Sequence, residues 1–66
     1  MTYTYYKHKI NSGIFVRNID GSDKCEWYSF GDNTWYNSGF GKDYISYGFT
    51  KITEKECIDL MFIQAI

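Results

Sequence analysis

The chain has no proline, one histidine and two cysteines in 66 residues. It has no run approaching the ~18–20 apolar residues that a membrane-spanning helix needs, so no such helix is expected. The opening Met1-Thr2-Tyr3-Thr4-Tyr5-Tyr6-Lys7 lacks the apolar stretch of a secretory signal. An excess of one charge is also missing: 7 Lys and Arg stand against 8 Asp and Glu, for a net charge of −1. A general nucleic-acid binder would carry a basic excess. An acidic mimic of DNA would have to reproduce a ladder of about one charge per 1.7 Å, which these scattered acids do not. The length excludes a two-domain cleft and any repeat array, so a single domain over 1–66 is expected.

The scarcity of reactive residues limits the chemistry further. His8 lies between Lys7 and Lys9, and its candidate serine partners are Ser29, Ser38 and Ser46. None of these sits on a nucleophile elbow. Cys25 and Cys57 lack the local signature of a Cys–His pair with His8. No catalytic residue is assigned and no enzymatic activity is expected. His8, Cys25 and Cys57 also lack the close-spaced ligand pairs of a structural zinc site. Asp20-Gly21-Ser22-Asp23 is too short for a calcium loop. Gly39-Phe40-Gly41-Lys42 resembles a phosphate-cradling loop only superficially, because Asp43 follows the lysine where Ser or Thr is required. No metal and no cofactor are expected. Without a secretory signal, both cysteines are expected to be reduced thiols in a cytoplasm.

Aromatic rings are what the sequence has in excess: seven Tyr, five Phe and two Trp. Each can bury about 150–250 Å², whereas a chain this short buries only about 60% of its unfolded surface. Some rings must therefore lie outside, and a surface rich in Tyr and Trp is typically a contact surface.

The order of residues indicates how those rings are arranged. Residues 2–10, 14–19, 24–30 and 34–38 read as strands, rich in β-branched and aromatic types. They are separated by Asn11-Ser12-Gly13, Asp20-Gly21 and Gly31-Asp32-Asn33 turns. Residues 39–43 read as a loop, and 44–50 are open between a fifth strand and an extended connector. The fold class that follows is α+β, an antiparallel meander of four or five strands with one C-terminal helix packed on one face. The sheet spans about 2–50 and the helix about 54–65.

The helix start is well marked. Thr53 and Glu56 form a capping box, each side chain serving the other residue's backbone N–H. Glu54 and Glu56 favour the positive end of the helix dipole. At 100° per residue, Cys57, Ile58, Met61 and Ala65 share one side, flanked by Leu60 and Phe62. Lys55, Glu56 and Asp59 lie opposite. Ile63 falls on that charged side, so Phe62, Ile63 and Ile66 are the candidate oligomer contact, in a dimer.

Alternation along the strands sets Tyr3 and Tyr5 on one face and Tyr6 and His8 on the other. Cys25 and Trp27 share a face, opposite Tyr28 and Phe30. With both faces aromatic and one helix to cover them, an uncovered apolar surface is expected. The candidate partner-binding residues are Trp35, Tyr36, Phe40, Tyr44 and Tyr47, in the most aromatic, loop-like stretch. A base-stacking reading also exists: Tyr5-Tyr6-Lys7-His8-Lys9, with Arg17, has the chemistry for a small nucleotide.

The chain resembles a loose class of small phage and prophage proteins in Tyr5 and Tyr6, Asp20-Gly21, Trp35, and the Ile52-Thr53-Glu54-x-Glu56 helix start. These have a Trp-containing antiparallel sheet and a C-terminal helix, and they include inhibitors of host defence. Trp27 and the aromatic stretch 40–49 depart from that pattern. The resemblance implies a non-enzymatic phage or mobile-element protein in the host cytoplasm. It would inhibit a host protein by occlusion through an aromatic surface. The alternatives are an oligomeric sponge for a small nucleotide, or a structural or regulatory module that pairs a sheet edge with another chain.

Overall fold

The computed structural model describes residues 2–65. It contains strands β1 (Tyr3–His8), β2 (Phe15–Ile19), β3 (Lys24–Ser29) and β4 (Thr34–Gly41), then a one-turn helix α1 (Lys42–Ile45). Strand β5 (Phe49–Ile52) and helix α2 (Glu54–Ala65) complete the chain. The strands form one antiparallel sheet in the order β4-β3-β2-β1-β5. The expected meander is therefore present, and 49–52 supply the fifth strand. That strand pairs with β1, so the chain leaves one edge of the sheet at β4 and returns at the other.

The turns form where the local chemistry favours them. At the first, Asn11 accepts the Gly13 N–H through its side-chain oxygen (3.0 Å) and the Ile14 N–H through its carbonyl (3.2 Å). At the second, Ile19 accepts the Ser22 N–H, and buried Asn18 donates from Nδ2 to the carbonyls of Ser22 (3.1 Å) and Lys24 (2.9 Å). A buried carboxamide is tolerable only when satisfied, and Asn18 uses its two protons to hold this turn.

Antiparallel partners share a face, so the registers sort the side chains. Tyr5, Arg17, Glu26 and Asn37 form a row on one face, with Tyr28 and Trp35 beside it. Tyr6, Val16, Trp27 and Tyr36 form a row on the other. Helix α2 covers the first face. Its capping box forms as expected: Thr53 Oγ1 accepts the Glu56 N–H (3.1 Å) and Glu56 accepts the Thr53 N–H (3.0 Å). Tyr5 donates from its hydroxyl to Glu54 at 3.1 Å, tying the helix start to β1. Cys57 is fully buried, at 0% exposure.

The second face is covered only in part, by the chain's own crossover between β4 and β5. Strand β4 runs on through Gly41 into α1, so the expected loop at 39–43 is largely strand. Asp23 accepts the Lys42 N–H with both its carbonyl (3.1 Å) and its carboxylate (2.9 Å). A Cβ at Gly41 would lie 2.6 Å from that carboxylate, so any larger residue there would have to push the Asp23 side chain aside. The pinned turn then drives Ile45, 1% exposed, onto Val16 and Cys25, with Tyr6, Phe40 and Phe49 around them. The core is thus two thin layers, one on each side of the sheet. Cys25 lies in one and Cys57 in the other, both as free thiols. Of the fourteen rings only Phe15 is buried, while Trp27, Tyr36, Tyr44, Tyr47 and Phe62 are exposed. Among the described residues no helix is long and apolar enough to cross a membrane.

Candidate functional site

The crossover covers only part of its face, and the uncovered part is a cleft. Its floor is Val16 and Trp27, adjacent in the central row. Trp27 is 42% exposed and stacks on Tyr36, with ring centroids 5.5 Å apart. Phe40 and Tyr44, 4.6 Å apart, form one wall where β4 enters α1. Tyr47 and Phe49 come from the far end of the crossover. There Gly48, at φ +81°, adopts a left-handed turn that a Cβ would strain, and its carbonyl accepts the Lys9 N–H at 2.8 Å. His8 and Ile14 complete the lining of about 390 Å³, a size typical of ligand pockets.

His8 is fixed in its orientation. Its Nδ1 accepts the backbone N–H groups of Ile10 (3.2 Å) and Asn11 (2.9 Å), and its ring meets Phe49 edge-on at 5.1 Å. In the neutral ring the proton therefore sits on Nε2. The lining has no Lys, Arg, Asp or Glu. At its border the Tyr36 hydroxyl donates to Asp32, an interaction that holds the Asp32 carboxyl below and the Tyr36 phenol above their ordinary pKa.

The sequence-proposed binding residues divide between the two faces. Phe40, Tyr44 and Tyr47 line the cleft and Tyr36 borders it through Trp27. Trp35 lies on the opposite face, where Arg17 is clamped. The guanidinium sits 3.9 Å from the Tyr3 ring centre and 4.4 Å from that of Trp35, while Nε donates to Glu26 at 2.7 Å. Arg17 and Tyr5 thus belong to one face and Tyr6 and His8 to the other, so the residues of the nucleotide reading do not converge. Trp27, His8, Ile14 and Phe49 were not singled out from sequence as partner-binding residues. The signal that marks Trp27 is its shared face with Cys25, once the β2–β3 turn sets Val16 opposite it.

Of the candidate oligomer contact, Phe62 (69%) and Ile63 (61%) are exposed. Ile66 lies outside the described residues. Ile58 is exposed as well, although it shares one side of the helix with buried Cys57 in the sequence pattern. The helix is rolled so that Cys57 is buried, Leu60 and Met61 are half-buried, and Gln64 donates to Ser12 at 3.5 Å.

The reactive groups are widely separated. Among the described residues no three of His, Cys, Asp and Glu gather where they could hold a metal ion. Burial raises both thiols above their ordinary pKa, that of Cys57 to about 11. Ser38 donates from Oγ to the Cys25 carbonyl at 2.9 Å, a structural bond at the bulge between β3 and β4. No family model, curated protein or solved structure matches the chain.

Proposed function

We propose that the chain is a non-enzymatic binding protein that holds a partner protein in the aromatic cleft of the crossover face. The observation that carries this reading is the exposure of Trp27, Tyr44 and Tyr47 around one uncharged depression. Rings with few degrees of freedom, set in a shared hollow, are what protein interfaces use as anchors. A small nucleotide would need cations for its phosphates, and the lining supplies none. The resemblance to phage and prophage proteins extends the proposal to the mode of action, occlusion of a host defence protein in the host cytoplasm. For the outer face of α2, where Ile58, Phe62 and Ile63 are exposed, the proposed occupant is a second copy of the chain. Three large apolar side chains exposed together on one helix mark a contact surface.

Affinity capture from host lysate tests the cleft. Wild-type protein is compared with a Trp27→Ala/Tyr47→Ala variant and with Phe62→Ser, each checked for folding by circular dichroism. The expected result is a partner retained by the wild type and by Phe62→Ser but lost by the double variant. Equal retention by the double variant would place the binding surface elsewhere.

A further inference from the structure

The turn between β1 and β2 is held by a side chain whose hydrogen bonding a single proton reverses. The loop opens where His8 donates its backbone N–H to the Ile14 carbonyl at 3.0 Å. Within it the Lys9 N–H reaches the Gly48 carbonyl (2.8 Å), and Asn11 accepts the N–H groups of Gly13 (3.0 Å) and Ile14 (3.2 Å). Among the described residues the Ile10 and Asn11 N–H groups share one acceptor, His8 Nδ1, at 3.2 Å and 2.9 Å. His8 thus does for the second and third residues after it what an Asn or Asp side chain does in an Asx turn. Unlike a carboxamide, imidazole changes charge between about pH 5 and about pH 8.

An imidazolium carries a proton on both ring nitrogens and accepts no hydrogen bond. Protonation at Nδ1 therefore sets three N–H groups against one another, and the ring has to leave. It cannot do so alone. The same ring meets Phe49 edge-on at 5.1 Å and lines the cleft beside Ile14. The groups around it prepare no second position for the cation. Strand β5 offers Phe49 and, opposite Tyr6, Lys51. Ile14, Val16 and Trp27 contribute apolar surface, and the crossover contributes the phenols of Tyr44 and Tyr47. Its neighbours along the chain are Lys7 and Lys9. None of these is a carboxylate that could pair with an imidazolium.

We propose that His8 is a proton-operated latch: protonation at Nδ1 releases the backbone at 10–11 and withdraws the ring from Phe49, opening that end of the cleft. The latch belongs to the chain itself and acts whatever the cleft binds.

The test is an NMR titration of the full ¹⁵N-labelled chain from about pH 7.5 to about pH 5. At the upper end the ring nitrogens report the tautomer directly, with the proton expected on Nε2 and a bare Nδ1. On acidification the Ile10 and Asn11 amide signals and the Phe49 ring signals should move together with the His8 ring. Protection of the two amides from exchange, corrected for the intrinsic rate, should fall by about five-fold or more, the equivalent of one net hydrogen bond. His8→Asn supplies an acceptor oxygen that does not titrate, and it should keep both amides protected across the range. His8→Ala should leave them unprotected throughout. A proton on Nδ1 at the upper end, amides that stay protected while His8 titrates, or an equal acid loss in His8→Asn would each overturn the proposal. The first two readouts use the wild-type chain, so they decide even where a variant does not fold.

Discussion

Ile45→Ala tests the link between the crossover and the cleft. Ile45 is the buried residue of a one-turn helix that has no side-chain N-cap. Such a turn has no independent stability, because a single turn does not offset the cost of helix nucleation. Its position therefore depends on what Ile45 reaches, namely Val16 and Cys25. Removing a fully buried isoleucine costs about 2–5 kcal/mol. The lower part of that range, about 2–3 kcal/mol, applies here, since a surface strap can settle into the gap. A chain of 66 residues has total stability of order 3–10 kcal/mol, so the loss is a large fraction. With an unfolding entropy of about 2.1 cal/mol/K per residue, the midpoint should fall by about 15–20 °C in a thermal melt followed by circular dichroism. The Tyr44 and Tyr47 side of the cleft should loosen with it, seen as faster amide exchange over 42–48. A loss below about 0.5 kcal/mol, as for an ordinary surface substitution, would refute the reasoning, because Ile45 would then not be what holds the strap.

Three further outcomes are expected. Arg17→Lys keeps the charge but loses the planar group held between Tyr3 and Trp35, and it should cost about 1–2 kcal/mol in urea unfolding; an unchanged midpoint would contradict the clamp. The Cys57 thiol is held at about pKa 11 against an ordinary value of 9.0. The unfolded chain therefore releases this proton first, stability falls as pH rises between those values, and Cys57→Ala should flatten part of that decline in alkaline urea titrations. Glu56 is held below its ordinary pKa by the Thr53 backbone N–H, so its contribution is present above about pH 4.5 and is lost on acidification. Glu56→Gln should weaken the acid dependence of α2 helicity measured by circular dichroism, and an unchanged acid transition would contradict the capping box.

The meander was legible because its turns are local events. Asn11-Ser12-Gly13, Asp20-Gly21 and the Thr53–Glu56 box each act within a few residues of themselves. The crossover was not, because Lys42–Ile45 is a single turn, too short to show a helical period, and the flanking Tyr and Phe residues suit a strand equally well. What seats it is Asp23, distant in sequence, receiving the Lys42 N–H beside a glycine. The roll of α2 was not legible for a related reason. The 100° spacing orders side chains around a helix but does not say which of them meets the sheet, and small Cys57 sits there while Ile58 and Phe62 turn outward. The two tryptophans show the same limit. Both lie in aromatic strands, yet the cross-strand register sets Trp27 in the open cleft and commits Trp35 to Arg17 on the other face.

The most direct measurement uses those two indoles in the complex with a captured partner. Hydrogen exchange of the Trp27 and Trp35 indole N–H groups is followed by NMR in the free chain and after binding. The account expects strong new protection at Trp27 and none at Trp35. Protection at Trp35 with Trp27 unchanged would contradict it.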